Sequence, residues 1–240
     1  MIFRRMAAQQ TYALNVAGSE PAAGPTLAST VTARLRTAII VGDLAPGTKI
    51  NIDRVRDHLG VSLSPLREAL SRLFSEGFLT FQDNRGYRVA PVSEADLRQI
   101  SRLRIRLETF ALREAIELGD REWEKAVLQR LKELQAIHCD PKDPHSVELY
   151  EEAHRNFHVE LISACEMPLL LQFSHTLHGL SDRYRRIFIA APHLALDRMG
   201  EHVDLATAAI ERRAPEAVAL LKRHIEKTSR QIMKVIPSSR

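Results

Sequence analysis

The chain has 240 residues, a formal net charge of +4, 45% hydrophobic and 27% charged residues, and a sequence pI near 9.3. That is an ordinary globular composition with ample length for one or two cores, and the absence of a run of about 18 apolar residues excludes a membrane span. Two cysteines, Cys139 and Cys165, exclude a disulfide framework and imply a reducing, cytoplasmic setting.

Residues 1–26 are rich in Ala, Gly, Gln, Pro and Ser without apolar periodicity, which predicts a mobile arm; the arginines near Met1 lead no apolar core, so no signal peptide is expected. Val31 to Val41 then reads as a helix with Leu35, Ala38 and Ile39 on one side, closed by Gly42 and the Pro46-Gly47 turn. Asn51 to Leu59 is a second short helix ended by Gly60. A third starts near Ser62 to Pro65 and runs to Glu76, with Leu66, Ala69, Leu70 and Leu73 as its apolar stripe. Strands Phe78 to Gln82 and Tyr87 to Pro91 follow, joined by a hairpin turn at Asp83-Asn84-Arg85-Gly86.

From Ser93 onward the chain reads as six helices, about 93–118, 120–138, 146–165, 167–191, 195–213 and 215–235, with Pro168, Pro192 and Pro215 at helix starts. The charge divides at the same place. Residues 27–92 hold nine Lys/Arg against six Asp/Glu, whereas residues 93–240 hold 23 of each; nine of the ten histidines lie in the second part and only His58 in the first. The expected organisation is therefore an arm (1–26), a basic domain (27–92) and a neutral helical domain (93–236).

Three short helices and a hairpin in the basic domain form a winged helix-turn-helix pattern. The third helix turns its stripe inward and shows Leu63, Ser64 and Arg67 on the far side of its first turn, where a major groove offers a distinct donor and acceptor pattern for each base pair. Arg85 and Gly86 at the hairpin tip fit a wing that reaches the backbone or minor groove.

Leu35-Arg36, Gly42-Asp43-Leu44-Ala45-Pro46-Gly47 and the run from Leu59 to Leu70, continued by Leu73, Glu76-Gly77, Gly86 and Val89, resemble the GntR family of bacterial transcription regulators. The resemblance implies DNA contacts at Arg36, Arg54, Ser62, Ser64, Arg67 and Gly86. Leu63 departs from it, since an arginine is common at this position in the family. A leucine donates no hydrogen bond and is suited to a thymine methyl group, so a different operator preference is expected.

In the helical part, histidines fall on apolar faces: His154 and His158 beside Tyr150, Phe157 and Leu161, His202 beside Met199 and Ala206, and His224 beside Leu220 and Leu221. An i, i+4 pair projects two imidazoles from one face at metal-binding reach. If the helices converge, the four form a metal site; if not, each is a core histidine. His175 and His178 are a second possible polar cluster, and His138, His145 and His193 are poorer candidates. Arg104 falls on the stripe of Leu97, Ile100, Leu103, Leu107 and Ala111. A buried arginine needs an anion, either an internal carboxylate such as Glu108 or a carboxylate effector.

Arg104 to Glu108, Phe157-His158, Glu201-His202 and Arg223-His224-Ile225 resemble the FCD ligand-binding domain of the FadR subfamily within GntR, and six helices look like its VanR-type branch. The resemblance implies a divalent metal at His154, His158, His202 and His224. His154 stands where the family most often has Asp, and four imidazoles suit zinc or nickel better than manganese.

The expected fold is mainly α: a winged helix-turn-helix domain plus an all-α six-helix antiparallel bundle of FCD type. The expected function is a DNA-binding regulator, a repressor more readily than an activator, acting as a homodimer on a palindromic operator and controlled by a small organic acid at a metal-containing pocket. A metal-dependent enzyme is the rival reading, and it lacks a well-placed general base. A purely structural metal is the third.

Overall fold

A computed structural model of the chain describes residues 24–140, 142–188 and 199–236, so the expected arm up to residue 23 and His193 lie outside the described residues. The chain divides after Pro91 into two compact units.

The first unit is built from α1 (Leu27–Ile40), α2 (Ile52–Leu59), α3 (Leu63–Ser75), β1 (Leu79–Gln82) and β2 (Gly86–Val89). Helix α1 begins four residues before the expected start. Thr26 caps it by accepting a hydrogen bond from the Ser29 N–H, a cap signal that the apolar periodicity does not carry. Asn51 caps α2 in the same way through the Arg54 N–H, and Gly60 ends α2 with φ +64°, a conformation that costs glycine nothing. Helix α1 packs on α3, and Leu35, Ile39, Leu66, Leu70, Leu73 and Phe78 are all buried. Each such side chain contributes about 1.5–3 kcal/mol on leaving water.

The wing is antiparallel, with Leu79 opposite Val89 and Gln82 opposite Gly86. It is shorter than expected at its open end, where β1 starts at Leu79 rather than Phe78 and β2 stops at Val89 rather than Pro91, and at the turn β2 begins one residue earlier than expected, at Gly86. A bridge between Lys49 and Arg88 adds an edge to it: the Ile50 N–H donates to the Tyr87 carbonyl and the Val89 N–H to that of Thr48. The segment after α1 read only as a turn because a single bridge leaves no alternation in the sequence.

The second unit holds α4 (Glu94–Leu118), α5 (Arg121–Gln135), α6 (Pro144–Leu161), α7 (Pro168–Phe188), α8 (Met199–Ile210) and α9 (Ala214–Met233). The expected segment 146–165 divides. Asp143 caps α6 by accepting from the His145 and Ser146 N–H groups, with Pro144 in the first turn, and Ser163–Cys165 is a separate 3-10 turn closed by Glu166 at φ +54°. Helix α4 packs mainly on α9 and α7, α5 on α6, and α8 on α9. The core joins Leu112, Val127, Leu134, Phe157, Leu205 and Leu221. A second cluster joins Leu97, Ile100, Leu177, Tyr184 and Ile232. There the Tyr184 hydroxyl accepts from the Ser93 N–H at 3.1 Å and lies 2.7 Å from Asp96 Oδ2, which ties α7 to the start of α4. Among the described residues no helix is long and apolar enough to cross a membrane.

Candidate metal centre and nucleic-acid interface

The four inward histidines of the second unit converge. His154, His158, His202 and His224 are buried, and one ligand nitrogen from each lies within 4.8 Å of all the others. His154 and His158 come from successive turns of α6, His202 from the first half of α8 and His224 from the middle of α9. The Nε2 atoms of His154 and His158 are 3.2 Å apart. Two metal–nitrogen bonds of about 2.0–2.1 Å at a tetrahedral angle hold their nitrogens about 3.3 Å apart, so this pair is spaced as one edge of such a site. Burial, reinforced by the Arg185 charge at His154 and by the neighbouring rings, pushes the pKa of His154 and His158 well below the usual imidazole value. Neutral imidazole is the form that ligates a metal.

Glu201 orients the set. Its Oε2 is 2.9 Å from His224 Nδ1, and Lys227 bonds its other oxygen. The hydrogen bond from His224 is the main cause that holds the Glu201 carboxyl at about 2, with Lys227 adding to it against partial burial. A carboxylate on Nδ1–H leaves Nε2 with its lone pair toward the cluster, the arrangement that accompanies metal-bound histidines. Four buried imidazoles, two of them held well below their usual pKa and a third with a carboxylate on its Nδ1, fit a divalent cation.

Arg104 has an internal anion. Its Nε donates to Glu108 Oε1 at 2.7 Å and its Nη2 to Oε2 at 3.2 Å, while Nη1 donates to Ser181 Oγ at 2.9 Å and Nη2 also reaches His178 Nδ1 at 3.2 Å. His178 Nε2 is 3.3 Å from Glu108 Oε2. Burial by itself raises the Glu108 carboxyl, but Arg104 above all, with His178 beside it, outweighs this and holds it at about 2. His178 thus lies against this ion pair, with its ring 5.8 Å from that of His158. His175, three residues earlier, is half-buried.

Removing one partner of a buried pair leaves the other charge stranded. Glu108→Ala is accordingly expected to cost about 3–5 kcal/mol, a fall of roughly 6–20 °C in the melting midpoint. Because the folded carboxyl sits below its usual 4.5, its stabilisation is complete above that value and is lost as pH falls through about 2. Melts from pH 7 to pH 3 check the sign: the midpoint of wild type should drop more steeply with acid than that of Glu108→Gln.

Sequence reasoning missed a second buried pair. Arg185 Nη2 donates to Glu151 Oε1 at 2.9 Å, and its Nη1 lies 2.8 Å from His154 Nε2 and 3.0 Å from Nδ1. Burial raises the Glu151 carboxyl, against the opposing pull of Arg185. Glu151 lies three residues before His154 on α6, an i, i+3 spacing that could have marked it; nothing local marks Arg185, thirty-one residues on.

In the first unit, Ser62, Ser64 and Arg67 are exposed and Leu63 is half-buried, all on the first turns of α3 or at its cap. The Ser62 side chain makes no capping hydrogen bond. Arg54 and Arg85 are exposed, and Gly86 closes the wing at φ +76°. Arg36 is half-buried and differently engaged: its Nε and Nη2 donate to Glu76 at 3.0 and 2.7 Å, which joins α1 to the end of α3.

The two units match two families separately. Residues 27–89 match the bacterial regulatory proteins of the gntR family, and residues 99–227 match the FCD domain. The chain is 36% identical over 195 residues to the HTH-type transcriptional regulator BphR of Paraburkholderia xenovorans strain LB400, covering 80% of each protein. It is 30% identical over 195 residues to the HTH-type transcriptional repressor GlaR of Escherichia coli K12, covering 80% of this chain and 89% of that one. Among solved structures, E. coli McbR/YncC shares the fold, with a TM-score of 0.74 at 22% identity over 87% of this chain and 98% of that one.

Proposed function

Because the chain belongs to the gntR family of bacterial regulatory proteins and carries an FCD domain, it is a DNA-binding transcriptional regulator and not an enzyme, and we propose that it is a homodimeric repressor released from a palindromic operator by a small carboxylate effector. The observation that carries the effector half of this reading is the convergence of four buried imidazoles beside the Arg104–Glu108 pair. The repressor half draws support from the similarity to GlaR, a transcriptional repressor.

On DNA, the exposed first turn of α3 enters the major groove. Arg67 reads a base edge or phosphate, Ser62 and Ser64 bond phosphate oxygens, and Leu63 packs on a thymine methyl. Arg54, Arg85 and the Gly86 backbone hold the DNA backbone, and Arg36 serves this surface by fixing α1 to the end of α3. Two-fold symmetry places two such helices on half-sites related by a dyad.

In the second unit, His154, His158, His202 and His224 hold a divalent ion of the zinc or nickel class. Bound there, the ion supplies a Lewis-acidic position for an effector oxygen. The effector's carboxylate reaches Arg104 on its Nη1 side, where it replaces the bond to the Ser181 hydroxyl. It changes DNA affinity only to the extent that it binds the two states of the protein differently.

The test is a mobility shift on the DNA upstream of the protein's own gene, at low salt, with and without a panel of small organic acids. Binding that a particular acid releases is the expected result. A folded protein that leaves this DNA unshifted would sink the operator assignment, and retention of the complex by every acid would sink the effector assignment.

A further inference from the structure

We propose that the groove between α4 and α9 is an outer binding site for a small carboxylate with an apolar body, held by Arg102 and Arg230. The inference stands apart from the metal reading, because no residue of the groove belongs to the histidine cluster or to the Arg104–Glu108 pair.

The groove has a volume of about 210 Å³ and opens to solvent. One wall is a single face of α4, where Arg98, Ser101, Arg102 and Ile105 follow the spacing i, i+3, i+4, i+7. On α9 the same spacing runs from Glu226 to Met233 and makes the other wall. The charges of the two walls do not balance. Glu94 pairs with Arg98, and Lys222 stands 3.9 Å from Glu226. Among the described residues Arg102 has no hydrogen bond or ion pair, and Arg230 donates only to the Glu226 carbonyl, at 3.3 Å. Two guanidiniums, one from each wall, thus border the same groove without a carboxylate partner. A carboxylate accepts guanidinium N–H groups two at a time, which makes it the anion that this pair suits.

The floor decides the rest of the ligand. Ser101 and Ser229 are buried there, with their Oγ atoms 2.9 Å apart. Ser101 Oγ donates to the Leu97 carbonyl at 2.8 Å, so the proton shared by the two hydroxyls comes from Ser229. Both donors are spent, and the floor offers an anion none. What it does offer is hydrocarbon, from Ile105, Met233 and the arginine stems. A compact hydrated anion such as phosphate would lose water there without replacement. An anion charged at one end and apolar at the other matches both the rim and the floor. The volume falls below the roughly 300–1,000 Å³ of drug-sized sites, which restricts the body to a single ring or a short chain. A ring also meets guanidinium and thioether groups, both of which favour aromatic contacts.

A fluorine NMR titration of 4-fluorobenzoate against the full chain tests the proposal. Wild type should bind the probe saturably, and unlabelled benzoate should displace it where equal acetate or inorganic phosphate does not. Arg102→Gln with Arg230→Gln should weaken binding by about tenfold or more, the effect of losing hydrogen bonds to a charged group. Met233→Gln keeps both arginines and should weaken it several-fold. Arg102 and Arg230 are exposed and Met233 is half-buried, so the melting midpoints of these variants should stay close to wild type. His158→Ala should bind the probe as wild type does. No binding by folded wild type, or wild-type affinity in the double variant, would overturn the proposal. Displacement by phosphate as readily as by benzoate would reduce the groove to a cationic patch and overturn it equally. Binding that survives in the double variant and disappears in His158→Ala would place the probe at the interior site, upholding the effector reading and rejecting this one.

Discussion

Arg67→Ala is expected to abolish specific operator binding while the protein stays folded, dimeric and able to load metal. The side chain is exposed on α3, and the packing of that helix depends on Leu66, Ala69, Leu70 and Leu73 on its other side. Alanine is at least as good a helix former as arginine, so the helix itself loses nothing. One well-placed base contact is worth about 1–3 kcal/mol. A two-fold complex loses two, about 2–6 kcal/mol, a weakening from about thirtyfold to more than a thousandfold. Arg67→Lys divides the two ways in which the residue can act. Lysine keeps the charge but not the planar fork, so it restores a phosphate contact and fails to restore a base contact. Fluorescence anisotropy against operator and scrambled DNA at two salt concentrations measures both. Normal operator affinity in Arg67→Ala would mean that α3 is not the reading helix.

The first unit was legible almost residue by residue because its signals are local. The Gly60 stop, the stripe of α3 and the hairpin turn each lie within about a dozen residues, and the contacts they imply form wherever those elements form. What escaped depends on groups outside the periodic pattern. The first turn of α1 is set by the Thr26 cap, and the edge beside β2 is a lone bridge at Lys49. The fold of the second unit was legible from helix-period stripes and proline positions. Its α6 was misdrawn because a helix and the 3-10 turn after it share the same apolar spacing.

The candidate site was legible only in part, for a different reason. Helical spacing determines which face a histidine occupies, and four inward faces made a metal site the reading if the helices converge, which spacing alone does not show. Spacing says nothing of what stands behind the imidazoles. Glu201 is adjacent to His202 in the chain yet bonds His224 on the next helix, a pairing fixed by how α8 packs on α9. Arg185 reaches His154 across the α6–α7 contact. Arg104 posed a choice between a carboxylate within the protein and one from a ligand, and Glu108, one turn along the same helix, is the partner in the structure. An i, i+4 pair of opposite charge forms by local geometry alone, which makes it the simpler solution whenever the sequence offers it.

His158→Ala is expected to remove the metal altogether while operator binding without effector persists. His158 stands among the other three, its ring 4.5 Å from that of His154, 5.0 Å from His224 and 5.5 Å from His202. Changes to groups that merely support a ligand cost about 10–100-fold in affinity, so loss of a ligand itself should exceed that range. Elemental analysis of the purified variant reads the loss directly, and full occupancy would disprove the ligand assignment. The same variant separates a sensing metal from a structural one. A cation that binds only the folded state, at a hundred times its dissociation constant, adds about 2.7 kcal/mol to stability. Chelation of wild type should therefore lower its melting midpoint by a bounded amount and leave a folded protein, and chelation should not alter the midpoint of His158→Ala. For sensing, the metal-free protein must still bind operator and must no longer be released by the acid that releases wild type. If chelated wild type unfolds outright at room temperature, the ion holds the bundle together and the acid response cannot be assigned to it.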